Sequence, residues 1–77
     1  MAKANLKKGD VEYDAYNDLF FFHKSYGTPE KNDQYWVDVI AQADAINEKY
    51  KGTVMAGIVS RHLIGLLDKW NREVVTQ

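Results

Sequence analysis

Apolar residues recur every three or four positions in three separate blocks of this chain. The first block is Ala15, Tyr16, Leu19, Phe22 and Tyr26. The second is Tyr35, Trp36, Val39, Ile40, Ala43, Ile46 and Tyr50. The third is Met55, Val59, His62, Leu63, Leu66, Leu67, Trp70 and Val74. That period is the signature of an amphipathic helix with one face in a core. No segment sustains apolar–polar alternation over six residues, so no strand is expected.

The breaks between blocks carry helix-ending chemistry. Asp10 follows Gly9 and is placed to cap a first helix running from about Val11 to Ser25 or Tyr26, its carboxylate accepting an unpaired amide. Gly27 is expected to end that helix as a residue with positive φ. The only proline, Pro29, follows in the connection Gly27–Asn32. Asn32 or Asp33 caps a second helix from about Gln34 to Tyr50. Gly52 and Thr53 close it and open a third, from about Val54 to Val74. Amphipathic helices joined by such short connections pack as antiparallel neighbours. The expectation is an all-α, compact three-helix bundle at residues 10–75, preceded by a flexible lead at 1–9, with a frayed tail from Val75.

One stretch does not obey the period. Phe20, Phe21 and Phe22 are consecutive in a helical segment, and consecutive side chains point about 100° apart, so one face cannot bury all three. At least one ring must face away from the core stripe. Two isoleucines of the third helix, Ile58 beside Gly57 and Ile64 beside Gly65, also lie off their stripe. With Tyr13 they complete a set of candidate interface residues: Tyr13, Phe20, Phe21, Ile58 and Ile64. Scattered apolar side chains on a surface are ordinary, whereas a contiguous patch marks an interaction site. A homodimer is the simplest partner arrangement, because most soluble oligomers are symmetric.

Composition narrows the alternatives. The 77 residues suit one domain, and 45% hydrophobic with 27% charged residues is ordinary for a globular chain. There is no cysteine, which excludes disulfides, thiolate catalysis and Cys-based zinc sites. No apolar run approaches the roughly 18 residues of a membrane span, and no signal-peptide core is seen, so a cytoplasmic protein with no membrane attachment is expected. The formal net charge is −1, whereas nucleic-acid binders usually carry a basic excess. The only basic cluster is Lys3, Lys7 and Lys8. The runner-up reading is still a helix-turn-helix-like nucleic-acid module, since the second connection is short enough to be its turn. The third helix offers only Arg61, Lys69 and Arg72 for such a role, and they are not gathered at its N-terminal end.

Candidate chemistry is thin. His23 and His62 would approach each other if the first and third helices pack, with Glu12 or Asp68 near, but no metalloprotease or His-x₃-His spacing exists. They are expected as boundary rings satisfied by backbone or water. Asp10, Asp14 and Asp18 recur every fourth residue, which suits a solvated face favoured by the helix dipole better than a calcium loop. Ser25 and Ser60 have no nucleophile elbow, and no Gly-rich phosphate loop occurs. Gly57 and Gly65 sit inside the third helix at about 1 kcal/mol each relative to alanine. They either admit a close-approaching backbone or are tolerated on the surface. No cofactor, metal or catalytic residue is expected, and the chain reads as a non-enzyme.

The order Phe22-His23-Lys24-Ser25-Tyr26, Asp33-Gln34-Tyr35-Trp36, Glu48-Lys49-Tyr50 and Leu66-Leu67-Asp68 resembles a group of small three-helix proteins encoded in prophages and mobile elements of Gram-positive bacteria. The resemblance covers about residues 11–72. It implies a phage-related context and a protein partner to be bound or modulated, without an assigned activity.

Overall fold

A computed structural model describes residues 5–75, and every statement of structure concerns these. The helices are α1 (Val11–Tyr26), α2 (Asp33–Tyr50) and α3 (Ala56–Val75), and no strand occurs among the described residues. Of the expected lead, residues 1–4 with Lys3 lie outside the described residues, as do residues 76 and 77 of the expected tail. Each helix packs against both others. Phe22 of α1 meets Trp70 of α3, while Tyr26 meets Tyr35 at the start of α2 and Asp18 meets Tyr50 at its end. Thus α1 and α3 run the same way and α2 runs against them, in a three-helix bundle.

The core is made of the stripes. Ala15, Leu19 and Phe22 of α1 meet Tyr35, Val39, Ala43 and Tyr50 of α2 and Val59, Leu63, Leu66 and Trp70 of α3, with Met55 just before it; Val74 of α3 is buried as well. Three stripe positions depart from expectation. Tyr16, Ile40 and His62 are exposed. Each neighbours a fully or nearly fully buried residue (Ala15, Val39, Leu63), and in a three-helix bundle the dry sector of each helix is too narrow for both.

Rings form a continuous series at one end. Phe22 packs on Trp70 at 5.4 Å between centroids and on Tyr26 at 5.5 Å. Tyr26 meets Tyr35 at 6.2 Å, and Tyr35 meets Trp36 at 4.9 Å. The Tyr35 hydroxyl donates to the Tyr26 carbonyl at 2.6 Å, satisfying an acceptor left open at the end of α1. Trp70 Nε1 is buried with no hydrogen-bond partner among the described residues.

The caps fall partly as expected. Asn32 accepts from the Tyr35 amide at 2.8 Å and starts α2. Gly52 takes φ +80, the left-handed conformation that ends α2. Thr53 donates its hydroxyl to the Tyr50 carbonyl and accepts from the Met55 amide, so one side chain joins the end of α2 to the approach of α3. Two expectations fail. Gly27 has φ −70 and is not left-handed; glycine fits there because an added Cβ would lie 2.5 Å from the His23 carbonyl oxygen. Asp10 stands at the N-cap position, but its carboxylate turns back to the Lys7 amide at 3.3 Å instead of capping α1. The Asp10 amide in turn donates to the Lys7 carbonyl at 3.0 Å, closing a turn across Gly9, whose φ of +102 suits the third residue of a type II turn.

Candidate functional site

The three phenylalanines take three different directions from α1. Phe22 is in the core. Phe21, at 53% exposure, borders a groove between α1 and α2 together with Asp18, Ser25, Ile46 and Lys49. Phe20, at 62%, borders the groove between α1 and α3 with Tyr16, Leu19, His23 and His62. The two exposed rings still touch across the crest of α1, edge to face at 5.8 Å. A helix with a single buried stripe therefore carries aromatic surface on both shoulders.

The other candidates divide around this crest. Tyr13 is seven residues before Phe20, which puts it about 20° away around the helix, on the same side; it is exposed, as is Tyr16 between them. Ile58 is exposed one turn before His62, on the flank of α3 that meets the α1 groove. Ile64 is exposed as well. It sits two residues past His62, about 200° around α3, and so on the flank away from that groove. The helical geometry brings Tyr13, Phe20 and Ile58 to one side of the molecule, links Phe21 to them through Phe20, and leaves Ile64 apart.

A second apolar surface escaped sequence reasoning. Trp36, Val37 and Ile40 line a shallow depression on α2 with Asp33, Ala41 and Asp44. The signal was present: Trp36-Val37 and Val39-Ile40 are adjacent apolar pairs, subject to the same geometric limit as the phenylalanine triple.

The polar groups near the crest are committed to structure. Asp18 Oδ2 accepts from Lys49 Nζ at 2.7 Å and from the Tyr50 hydroxyl at 2.5 Å, fastening α1 to the end of α2. Burial pushes the Asp18 carboxyl up, but the hydrogen bonds from Lys49 and Tyr50 with the Lys49 charge outweigh it and hold the carboxyl below its usual value. Burial, reinforced by Asp18, raises the Tyr50 phenol. Asp14 accepts from the Gly9 amide at 3.3 Å. The expected acidic series thus serves the turn before α1 and the clasp to α2. Sequence reasoning missed this clasp because Tyr50 counts as apolar in a stripe.

His23 and His62 do share the α1/α3 groove, and the His23 ring stands edge-on to Trp70 at 5.7 Å. No carboxylate lines that groove. Among the described residues no three His, Cys, Asp or Glu side chains are grouped to hold a metal ion. The basic side chains of α3 are paired: Arg61 donates to the Gly57 carbonyl, Lys69 to Glu73, and Arg72 meets Asp68 at 3.1 Å. Among the described residues no backbone approaches Gly57 or Gly65; a Cβ would meet only Arg61 at 3.6 Å at the first and nothing within 4 Å at the second. No described helix is long and apolar enough to cross a membrane. No protein-family model, curated protein or solved structure matches the chain.

Proposed function

We propose that this protein is a small, non-enzymatic interaction module that binds a protein partner through the crest of α1, a second copy of the chain being the simplest such partner. One observation carries the reading: Phe20 and Phe21 are adjacent, in mutual contact, and each more than half exposed. Fully burying one such side chain is worth roughly 1.5–3 kcal/mol, and the described chain leaves more than half of each ring in water. Contiguous exposed apolar surface of this kind marks interaction sites. The resemblance of the aromatic motifs to prophage-encoded proteins adds a setting, that of a cytoplasmic protein modulating a host or phage protein by covering part of its surface.

The test is solution mass by light scattering after size exclusion, over a range of concentrations, for the wild type and for the double variant Phe20→Ser with Phe21→Ser. A wild-type dimer that becomes a monomer in the variant supports the reading. A wild-type monomer at every concentration removes self-association and leaves the partner to be sought by capture on the wild type against the variant.

A further inference from the structure

Helix α2 carries a second stripe besides its core one. Asp33, Trp36, Val37, Ile40, Ala41 and Asp44 recur at helical spacing and line a single depression of about 680 Å³. Residues spaced this way share one face of a helix. Val37 and Ile40 are 61% and 51% exposed, and Ala41 is exposed too. Trp36 is partly buried, packed on the core and edge-on to Tyr35, which anchors one wall of the depression. None of these residues lines either α1 groove.

The acids choose the occupant. Asp33 and Asp44 are separated by about three helical turns, roughly 16 Å along α2, and lie within about 20° of one line. One bounds each end of the apolar strip. Neither is ion-paired among the described residues, and no basic side chain lines the depression. Asp33 in the first turn suits the helix dipole, but Asp44 in mid-helix has no such role. A second copy laid α2 on α2 is unfavourable in both directions. In parallel each acid meets its own counterpart, and in antiparallel Asp33 meets Asp44. The same charges repel phosphate, and with it nucleic acid and anionic lipid. What they attract is a cation at each end of an apolar ridge, and such pairing of opposite charges fixes register and partner choice.

We propose that this face of α2 docks an amphipathic helix of another protein, one whose apolar stripe is bounded by basic residues about three turns apart. The strip is short, so the complex belongs with transient encounters that bury less than about 1,200 Å², and its affinity falls as salt screens the charged ends. The surface is separate from the α1 crest, and either can exist without the other.

A synthetic helical peptide of about four turns, with a leucine stripe and a lysine at each end of it, tests this when titrated into isotope-labelled protein and followed by amide chemical shifts. Shifts centred on residues 33–44 are expected, with at least about tenfold weaker binding of the same peptide carrying glutamate in place of lysine. Val37→Ser removes a side chain outside the core and is expected to weaken the lysine peptide about three- to tenfold. Asp44→Lys keeps α2, lysine being no worse a helix former than aspartate. It is expected to weaken the lysine peptide about three- to tenfold, strengthen the glutamate peptide and remove most of the preference between them. Equal binding of the two peptides, an Asp44→Lys variant that keeps the full preference, or no binding at millimolar peptide overturns the proposal. Shifts centred on Phe20 and Phe21 also overturn it, while leaving the α1 reading in place.

Discussion

Helices α1 and α3 have similar apolar content and spend it differently. On α3, Val59, Leu63, Leu66, Trp70 and Val74 all go to the core, and the exposed large apolar residues are Ile58, Ile64 and the terminal Val75. On α1 the buried set is Ala15, Leu19 and Phe22, whereas Val11, Tyr13, Tyr16, Phe20 and Phe21 are exposed. The first arrangement is what a helix needs to hold a fold together. The second leaves more apolar side chains exposed than buried, which stability alone does not explain. The difference separates the helix that anchors the bundle from the helix that presents a surface.

The largest expected effect tests the anchor. Trp70 is fully buried at the meeting of Phe22 and His23, so Trp70→Ala should cost about 3–5 kcal/mol in denaturant unfolding, as should Phe22→Ala on the α1 side of the same contact. Trp70→Phe should cost much less. It keeps most of the ring while removing an indole N–H that is buried without a partner, a group that costs about 1–3 kcal/mol to desolvate. Equal losses for the two Trp70 variants would mean that shape, not the orphan donor, dominates there.

The clasp between α1 and α2 comes next. Asp18→Asn should lose about 1–2 kcal/mol at neutral pH, the worth of a charged hydrogen bond, and should change the acid limb of the stability curve. The Asp18 carboxyl is lowered in the folded state from an ordinary value of 3.8. Its contribution is therefore complete above that value and is lost as pH falls through the lower folded one. Thermal midpoints of the wild type should fall more steeply below about pH 3.8 than those of the variant. Parallel curves would show that the contact does not titrate with folding.

These two predictions also mark what was legible in the sequence. The period of three and four located all three helices, and Asn32 and Gly52 punctuate as their chemistry requires. The periodicity could not choose between adjacent apolar residues, so Tyr16, Ile40 and His62 were assigned inward and lie outside. Nor could it place a long-range polar contact: Asp18 and Tyr50 are 32 residues apart, and nothing local ties them. Gly27 shows a further limit, since glycine there answers to crowding against His23 and not to backbone twist. For the surface, the phenylalanine triple announced that some ring is exposed, but only packing decides that Phe20 and Phe21 lean to opposite shoulders.

A smaller effect of opposite sign separates tolerated glycine from functional glycine on α3. With open space around its missing side chain, Gly65→Ala should stabilise the monomer by about 1 kcal/mol through helix propensity alone. Loss of stability would mean that Gly65 is not a tolerated surface glycine.

The smallest effect on stability is the sharpest test of the contrast between α1 and α3. Phe20→Ser and Phe21→Ser remove rings that are already mostly in water, and substitutions away from structural features usually stay within about 0.5 kcal/mol. Measured at low concentration, where any dimer has dissociated, each should leave unfolding near wild type, although Phe22→Ala one position on is severe. At high concentration the wild type alone should gain stability with protein concentration, because association adds to the folded state by mass action. Two neighbouring phenylalanines that matter only when copies meet, and a third that matters always, would be the energetic form of a helix with one face for its own core and one for another molecule. A large loss from Phe20→Ser in the dilute monomer would instead return that ring to the fold and leave α1 no surplus to explain.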